Sequence, residues 1–463
     1  MKESIKIISP IDGSIVAERP YSSPVEISKC LALANESKSI WKAKTIKERA
    51  FICHKAIDVL CSNKESIAKE ITMQMGRPIR YAAAEIGGLE DRARYMIEIA
   101  EHELSDVRPD KKENHNRFIR REPLGVVMSI APWNYPYLTA VNSIIPALMA
   151  GNCVILKHSA QTFICADRFK QAFEQAGMEE GVFQVLYLDH SQTTALISSQ
   201  NLDYISFTGS VTAGEIIEKT VAGSFKGVAL ELGGKDPAYV RDDVVLEQAV
   251  ESLLDGAFYN SGQSCCAVER IYVQKNIYDE FLKKFIDKAK NYVLGNPLNE
   301  KVSLGPMISS NAADFVRKQI KQACEMGATA CIDETKFPLS KPGTCYMAPQ
   351  VLINVNHKMS IMMEESFAPV VGVMEVENDE QAIHYMNDSP YGLSASVWTK
   401  DESAAIDIGK KLQTGTVFMN ECDYLDPALA WVGVKNSGRG CSLSVLGYQQ
   451  LTRPKSFNLK REL

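Results

Sequence analysis

From about residue 119 onward, short apolar runs alternate with segments of helical pattern. The runs are GVVMSIAP, NCVILKHS, VFQVLYL and DYISFTG, and a helix-like stretch separates each from the next. Apolar strands joined by helices are typical of a parallel sheet that is buried on both faces. The alternation begins again after Gly234, with PAYVRDD, EQAVESLLDGAFYNSG, ERIYVQKN and YDEFLKKFIDKAKNYV. The sequence therefore predicts an α/β protein with two parallel-sheet units.

Two long helical patterns precede the first run. PVEISKCLALANESKSIWKA and TIKERAFICHKAIDVLCSNKESIAKEITMQMG both have apolar residues at three- and four-residue spacing. Gly76 and Pro78 predict the end of the second helix. A chain of 463 residues exceeds one compact core, so we expect two or three domains.

Composition excludes several classes of protein. Hydrophobic residues at 45% and charged residues at 23% are ordinary for a soluble globular chain. A net charge of -6 offers no broad basic surface, so we expect no nucleic-acid partner. No window has the length of a membrane span and the first residues do not resemble a signal peptide, so we expect a cytoplasmic protein without membrane contact. Twelve scattered cysteines fit reduced thiols.

The stretch NSGQSCCAVER places two cysteines, Cys265 and Cys266, side by side. Such a pair could ligate a metal, form a disulfide, fill a core or include a nucleophile. None of the seven histidines stands near another potential ligand at zinc-site spacing, so we expect no metal. On composition alone, inert buried thiols are the commoner interpretation. A nucleophile needs activating neighbours.

Three other segments carry groups that could assist a thiol. In APWNYPY two prolines hold Asn134 at a strand end, where its amide could donate to an oxyanion; the alternative is a proline-rich turn. In LELGGKDP, Glu231 follows an apolar stretch and could act as a base; the alternative is a surface glutamate. In ISFTGS a strand and glycine turn lead into a helix whose amides could bind phosphate, although the GxGxxG fingerprint is absent.

Together these segments resemble the aldehyde dehydrogenase superfamily. PWNYP, GNCVILKHS, FTGS, LELGGKDP, NSGQSC, EESFAPV, NDSPYGLSASVWT and GTVFMN occur in the order of that family. Chain length and the KHS variant are most similar to short bacterial succinate semialdehyde dehydrogenases. The resemblance implies a Rossmann-type cofactor domain over residues 1–103 and 121–232, an α/β catalytic domain over 233–434, and a small oligomerisation extension made by arms at 104–120 and 445–463.

The resemblance also implies roles for individual residues. Cys265 matches the nucleophile, Asn134 the oxyanion donor together with the Cys265 backbone N–H, and Glu231 the general base. The implied reaction oxidises an aldehyde to the acid through a thiohemiacetal and a thioester, with NAD or NADP as cofactor. Cofactor contacts are assigned by position to Ile130, Trp133, Lys157, Gly209, Ser210, Glu365 and Phe367.

Three positions depart from the pattern of the family. Many NAD-preferring relatives carry a glutamate where this chain has Ala160. Without that carboxylate the repulsion against a 2′-phosphate is lost, so we expect both NAD and NADP to be accepted. His158 replaces a proline and Ala368 a glycine, and we expect each to affect cofactor mobility rather than the chemistry.

Substrate identity is encoded less clearly. The aldehyde tunnel matches Tyr135, Thr139, Asn142, Ser264, Cys266 and Trp431, with Glu421 and Asp423 nearby. This polar set favours a small polar aldehyde. Arg92 is the candidate anchor for a carboxylate such as that of succinate semialdehyde, and its alternative is a solvated helix arginine. Glu421 and Asp423, if they face the tunnel, favour an aminoaldehyde instead.

Two further functions remain open at this stage. A CoA-acylating aldehyde dehydrogenase shares the cysteine, but Glu231 argues for hydrolysis because that step needs a base. A non-catalytic binding or structural member of the fold is disfavoured by the joint presence of Cys265, Asn134 and Glu231. The resemblance implies a homodimer or homotetramer that acts on a small-molecule aldehyde.

Overall fold

Five consecutive helices precede β3, and from β4 onward strands and helices largely alternate, as the sequence predicts. The computed structural model describes residues 4–461; residues 1–3 and 462–463, at the ends of the predicted cofactor domain and C-terminal arm, lie outside the described residues. The helices are α1 (Pro24–Ala43), α2 (Ile46–Ser62), α3 (Lys64–Met75), α4 (Ile79–Ala82), α5 (Ala84–Glu103), α6 (Leu138–Met149), α7 (Phe163–Gln175), α8 (His190–Ser198), α9 (Val211–Val221), α10 (Leu246–Phe258), α11 (Tyr278–Ala289), α12 (Ser310–Glu325), α13 (Ser360–Met363), α14 (Asp379–Asn387), α15 (Glu402–Gly409) and α16 (Ser444–Gln450).

Within residues 4–461, the strands form two large sheets and three two-stranded ladders. They are β1 (Ser4–Ile8), β2 (Ile15–Pro20), β3 (His115–Pro123), β4 (Val126–Ala131), β5 (Cys153–His158), β6 (Phe183–Val185), β7 (Tyr204–Thr208), β8 (Gly227–Glu231), β9 (Asp236–Val240), β10 (Val268–Gln274), β11 (Thr329–Ala330), β12 (Gln350–Ile353), β13 (Val370–Val376), β14 (Tyr391–Gly392), β15 (Ser394–Trp398), β16 (Thr416–Met419), β17 (Val434–Lys435), β18 (Gly438–Arg439) and β19 (Thr452–Lys460).

The first sheet has the strand order β18-β8-β7-β4-β5-β6. All of its pairings are parallel except that of β18 with β8. The four predicted apolar runs supply β4, β5, β6 and β7, and β4 is buried at every position. The carboxyl ends of β4, β7 and β8 therefore meet at one edge, where ligands bind in open α/β sheets.

The second sheet has the order β11-β12-β13-β10-β9-β15-β16 and is parallel apart from β11. It is built from residues after Gly234, as predicted. One strand returns to the first sheet, because β18 pairs with β8 at Gly438 and Arg439. The chain thus crosses from the second sheet back to the first after residue 434.

One helix prediction is wrong in its length. The pattern over residues 45–76 predicts a single helix, whereas α2 and α3 are separate and Asn63 lies between them with non-helical φ of -103° and ψ of 11°. The Asn63 side chain donates instead to the Val59 carbonyl at 2.7 Å, a local hydrogen bond that competes with helix continuation. Gly76 ends α3 in the left-handed conformation, as predicted.

The two predicted arms contact each other within the chain. β3 and β19 pair antiparallel over nine residues, from Thr452↔Pro123 to Lys460↔His115, and the rings of Phe118 and Phe457 stack at 4.5 Å between centroids. Whether the arms join subunits stays a prediction. Over residues 4–461, no helix is both long and apolar enough to cross a membrane.

Candidate active site

A cavity of about 280 Å³ opens between the two sheets, and Cys265 and Glu231 both line it. Six residues predicted for the aldehyde tunnel also line it, together with Asp423 and Arg92: Tyr135, Thr139, Asn142, Ser264, Cys266 and Trp431. The structure thus brings the candidate nucleophile, the candidate base and the predicted tunnel residues into one space.

The loop that carries Cys265 follows a short 3-10 turn at Tyr259–Gly262. Asn260, Ser261 and Gly262 have successive positive φ values of 53°, 58° and 68°. A Cβ on Gly262 would lie 2.1 Å from the Ala368 carbonyl oxygen, so only glycine fits there. This run of left-handed residues ends α10 and exposes Cys265 to the cavity.

Asn134 lies just beyond β4, and its amide is fixed by the cysteine loop. Its Nδ2 donates to the Gln263 carbonyl at 3.2 Å, and its own carbonyl accepts from Asn260 Nδ2 at 3.2 Å. Asn134 is 5% exposed. The second N–H of the amide forms no hydrogen bond to the described residues. Asn134 itself does not line the cavity, and its role as an oxyanion donor stays a prediction.

A buried ion pair holds the Asn134 turn and the cysteine loop together. Arg77 pairs with Glu85, and both side chains are at most 1% exposed. The Arg77 guanidinium also donates from Nε to Asn260 Oδ1 at 3.0 Å and from Nη2 to the Asn134 carbonyl at 2.5 Å. Glu85 in turn accepts from the backbone N–H of Tyr137 at 2.7 Å. Every charge here is paired and hydrogen-bonded, as burial requires.

Glu231 ends β8 and has two hydroxyl partners. Ser442 Oγ donates to its Oε1, and Thr208 Oγ1 donates to its Oε2 at 3.1 Å. Burial raises the pKa of the Glu231 carboxyl, while the hydrogen bonds from Ser442 and Thr208 and the charge of Arg92 lower it. A buried carboxylate with a raised pKa is suited to accept a proton near neutrality.

Cys266 lines the same cavity as Cys265, and its thiol is hydrogen-bonded to Asp423. Its Sγ donates to Asp423 Oδ1 at 2.9 Å, and Ser264 Oγ donates to the same oxygen at 2.7 Å. The hydrogen bond with Cys265 and burial raise the pKa of the Cys266 thiol well above its usual value. Burial raises the pKa of Asp423 to about 6. Cys266 is therefore kept as a neutral thiol, which is a poor nucleophile.

Arg92, on α5, lines the cavity and is not a solvated helix arginine. Its Nη1 donates to Asn142 Oδ1 at 3.2 Å and to the Leu138 carbonyl at 3.3 Å, whereas Nε and Nη2 have no hydrogen-bond partner among residues 4–461. Glu421 faces away from this cavity and lines a separate surface depression. Of the two acidic residues weighed for the tunnel, only Asp423 reaches it.

Two of the predicted cofactor residues are neighbours in the first sheet. Ile130 on β4 is paired in register with Lys157 on β5. Lys157 is half-buried, forms no hydrogen bond or ion pair with the described residues, and has a pKa lowered by burial. His158 beside it contacts the Pro136 carbonyl through Nε2 at 2.9 Å, and burial lowers its pKa to about 4. His158 thus holds the proline turn against β5.

Gly209 and Ser210 connect β7 to α9. The Gly209 N–H donates to the Glu231 carbonyl at 3.0 Å, and the Ser210 hydroxyl accepts from the N–H of Ala213 at 3.3 Å as the helix cap. The remaining first-turn amides of α9 have no partner within the helix, a geometry that binds phosphate.

Glu365 and Phe367 lie across the cleft from β8. Glu365 Oε1 accepts from the Gly234 N–H at 3.0 Å, and burial raises the pKa of this carboxyl to about 8. A Cβ on Gly233 would lie 2.4 Å from both Glu365 oxygens, so the glycine leaves room for them. The Phe367 ring meets the Trp133 ring edge-on at 5.6 Å.

These groups fit a pyridine dinucleotide. An unpaired, half-buried ammonium at Lys157 suits ribose hydroxyls or a phosphate, the first turn of α9 suits a pyrophosphate, and Glu365 with a raised pKa can donate to a hydroxyl. Ile130, Trp133, Lys157, Gly209 and Ser210 therefore lie on strands and loops of the first sheet, whereas Glu365 and Phe367 belong to the loop before β13 of the second sheet.

Sequence reasoning missed several residues that shape the site. Arg77 and Glu85 are eight positions apart, before and after Pro78. The ion pair between them is recognised only in the structure, where both side chains are buried. Ser442 is 211 positions from Glu231, and nothing in its local sequence distinguishes it. Thr208 could have been found from the sequence, because Thr208 and Glu231 each end an apolar run and the carboxyl ends of parallel strands meet at one edge.

Comparison with known proteins agrees with this geometry. The sequence pattern of the "Aldehyde dehydrogenase family" matches residues 1–457. An aldehyde dehydrogenase of Paenarthrobacter nicotinovorans is 33% identical over 98% of this chain and 99% of its own. The succinate semialdehyde dehydrogenase [NAD(P)+] of Escherichia coli (strain K12) is 32% identical over 96% of this chain and 95% of its own.

The fold is similar to that of solved structures of the same kind. The betaine aldehyde dehydrogenase of Staphylococcus aureus in complex with NAD+ superimposes with a TM-score of 0.93 at 28% identity, over 100% of this chain and 93% of that one. The predicted α/β fold class, the predicted family and the prediction of an enzyme are confirmed. The chain belongs to the aldehyde dehydrogenase family.

Proposed function

We propose that this protein oxidises a small polar aldehyde to the carboxylic acid through a covalent adduct on Cys265, with NAD or NADP as cofactor. The observation that carries the proposal is the shared cavity, where Cys265 and Glu231 lie beside the turn that holds Asn134. A nucleophile and a base in one cavity, with an oxyanion donor next to it, are what acyl chemistry requires.

In the first half-reaction the Cys265 sulfur adds to the aldehyde carbon, and the oxygen that becomes negative is stabilised by the free N–H of Asn134. The cofactor, when bound, supplies the acceptor for the hydride that leaves the same carbon. Lys157, the first turn of α9, Glu365 and Phe367 would hold it. Cys265 is left as a thioester.

In the second half-reaction Glu231 takes a proton from water, the water oxygen adds to the thioester carbon, and the C–S bond breaks. The raised pKa of Glu231 makes it a stronger base than an exposed glutamate. Because transfer to CoA would not need this base, Glu231 supports hydrolysis over the CoA-acylating alternative.

Arg92 supports an anionic substrate. Arg92 lines the cavity, two of its three nitrogen groups have no hydrogen-bond partner among the described residues, and its charge lowers the pKa of Glu231. A carboxylate accepts bidentate hydrogen bonds from such a guanidinium. The Escherichia coli relative carries the name of a succinate semialdehyde dehydrogenase, and we propose this semialdehyde as the first substrate to test.

An aminoaldehyde is the second candidate, and a specific observation favours it. Asp423 Oδ1 is occupied by Ser264 and Cys266, but Oδ2 has no partner among the described residues. This free oxygen of a carboxyl that lines the cavity could accept a hydrogen bond from an ammonium group.

The cofactor proposal includes both NAD and NADP. Ala160 is exposed at the start of a short 3-10 turn and brings no carboxylate toward a 2′-phosphate. A preference for NAD beyond about a thousandfold in kcat/KM, roughly 4 kcal/mol, would contradict this expectation.

The deciding experiment compares Cys265→Ala with Cys266→Ala. Both variants are mixed with NAD or NADP and with succinate semialdehyde, a neutral aldehyde or an aminoaldehyde, and absorbance at 340 nm and intact mass are followed. We expect Cys265→Ala to lose turnover and the acyl adduct, and Cys266→Ala to keep both. Equal loss in the two variants, or full activity of Cys265→Ala, would refute the assignment.

A further inference from the structure

Ser442 contacts Glu231 and also lines a second cavity, which is separate from the one that Cys265 faces. Its position is fixed by its backbone, which exchanges hydrogen bonds with the backbone of Trp431 at 2.9 and 3.0 Å. Ser442 therefore connects the candidate base to a space that substrate does not enter.

The second cavity is small, and both polar and apolar residues line it. Its volume is about 10 Å³, close to the about 10–15 Å³ that one water molecule needs. Six of its lining residues carry a side-chain hydroxyl or amide group: Asn142, Ser143, Tyr204, Ser206, Ser442 and Gln450. A site of this size with several polar groups suits one ordered water molecule.

Two neighbouring strands supply part of the lining of this cavity, with Tyr204 and Ser206 from β7 and Ala229 from β8. Tyr204, Ser206 and Thr208 lie on one face of β7, because alternate residues of a strand share a face. Each is in parallel register with a residue of β8, namely Gly227, Ala229 and Glu231. A row of hydroxyls on β7 thus lies beside two small residues and the candidate base on β8. The Tyr204 ring fills the space beside Gly227, and Ala229, beside Ser206, lines the cavity.

The Tyr204 hydroxyl is the strongest indication that the cavity holds a water molecule. Tyr204 is 4% exposed, and its hydroxyl is buried without a hydrogen-bond partner in the described part of the chain. An unmade hydrogen bond of this kind costs about 1–3 kcal/mol. A water molecule in the cavity would satisfy it.

The same tyrosine leads to the surface of the chain. Tyr204 and Gln450 line both the small cavity and a surface depression of about 530 Å³, whose other lining residues include Asp203 and Arg439. The groups from Glu231 to this depression follow one another as Ser442, the water site, and Tyr204 with Gln450.

We propose that Ser442, the water site and Tyr204 form a proton exit for Glu231 that is separate from the substrate cavity. The inference rests on the proposed role of Glu231 as base. Hydrolysis leaves one proton on its carboxyl in each turnover. That proton passes to the Ser442 oxygen while the Ser442 hydroxyl proton passes to the water molecule, which releases one proton through Tyr204 to solvent, so that no proton is gained or lost along the path.

The test measures the two half-reactions of Ser442→Ala and Tyr204→Phe separately. We expect both to keep the rate and amplitude of the NADH burst, because formation of the thioester does not use the path. Their steady-state kcat is expected to fall by about five- to tenfold, less than the roughly 10²–10⁴-fold that a general base contributes. The solvent deuterium isotope effect on kcat should increase, since proton release becomes rate-limiting.

Thr208→Val and Ser442→Thr are the matched controls. Thr208→Val removes the other hydroxyl bonded to Glu231 without touching the water site and should keep the wild-type isotope effect. Ser442→Thr keeps a hydroxyl and should restore most of the rate. The proton exit alone would be overturned if Glu231→Gln is impaired while Ser442→Ala and Tyr204→Phe both keep the wild-type kcat and isotope effect. Wild-type turnover of Glu231→Gln would overturn the proposed function as well.

Discussion

The thiol side and the base side of the cavity are held in place by different kinds of interaction. Next to Cys265, Asn134 is fixed by the fully buried ion pair of Arg77 and Glu85 and by backbone carbonyls. The carboxylate of Glu231 is held by two hydroxyls, those of Ser442 and Thr208. An oxyanion donor acts best when it does not move, whereas a base must exchange hydrogen-bond partners in each turnover.

The largest expected effects come from variants of Glu231 and Asn134, which should slow different half-reactions. Glu231→Gln should keep a single NADH burst but lose about 10²–10⁴-fold in steady-state turnover, because only hydrolysis needs the base. Asn134→Ala should instead slow the burst itself by about 10²–10³-fold, because the oxyanion forms in acylation too. Stopped-flow absorbance at 340 nm measures both. If both variants slow the same half-reaction, the two sides of the cavity do not have these separate roles.

Stability should also differ between buried and exposed charges on α5. Glu85→Ala leaves the Arg77 charge buried and unpaired, and we expect a loss of about 3–5 kcal/mol in the free energy of unfolding. The matched control is Glu90→Ala, five residues along the same helix, where the pair with Arg94 is about one-third exposed on both sides and about 1 kcal/mol or less is expected. Denaturant unfolding measures both. Equal losses would show that the thiol side is not held by its ion pair.

Arg92 lies between the two sides and should affect substrate binding. Arg92→Met is expected to raise KM for succinate semialdehyde by about 10- to 100-fold, since a hydrogen bond to a charged group contributes about 1.5–3 kcal/mol. KM for a neutral aldehyde of similar length is the control and should change little. A lower KM of Arg92→Met for the semialdehyde would show that Arg92 does not bind its carboxylate. If KM for an aminoaldehyde also falls, the aminoaldehyde becomes the favoured substrate.

The smallest expected effect is a shift in pH dependence on the base side. Thr208→Val removes a hydrogen bond that lowers the pKa of Glu231, so that pKa should rise further above its ordinary value of 4.5. Protonated Glu231 cannot act as a base, so kcat falls as pH decreases through this pKa. The acid limb of the kcat profile should therefore move to higher pH, by about one unit. A shift to lower pH would contradict the hydrogen-bond pattern.

Elements with a strong periodic pattern could be predicted from the sequence, and interruptions made by one side chain could not. The predicted segment PVEISKCLALANESKSIWKA is α1 without a change of bounds. The break between α2 and α3 was missed because the apolar spacing continues through it, while the Asn63 side chain bonds to the Val59 carbonyl. β18 was missed because a two-residue strand has no period to detect.

Within the site, residues in contiguous motifs could be predicted and residues joined by packing could not. Arg92 lies on α5, and which face of α5 packs against α6 depends on tertiary contacts. The sequence therefore could not decide whether Arg92 is a carboxylate anchor or a solvated arginine. Glu421 and Asp423 would share a face in an extended strand. The positive φ of Asn420 (56°) and Asp423 (52°) interrupts that alternation, which explains why only Asp423 reaches the cavity.

The left-handed turn at residues 260–262 has a consequence for folding. Non-glycine residues with positive φ cost of order 1 kcal/mol or more each and persist only when surrounding groups hold them. Asn260 is held by Arg77 and by the Asn134 carbonyl, which belong to the first part of the chain. The loop of Cys265 therefore acquires its geometry only after the part of the chain that carries Arg77 and Asn134 has packed against it. In refolding experiments, dehydrogenase activity should return later than the helical circular dichroism signal of the chain.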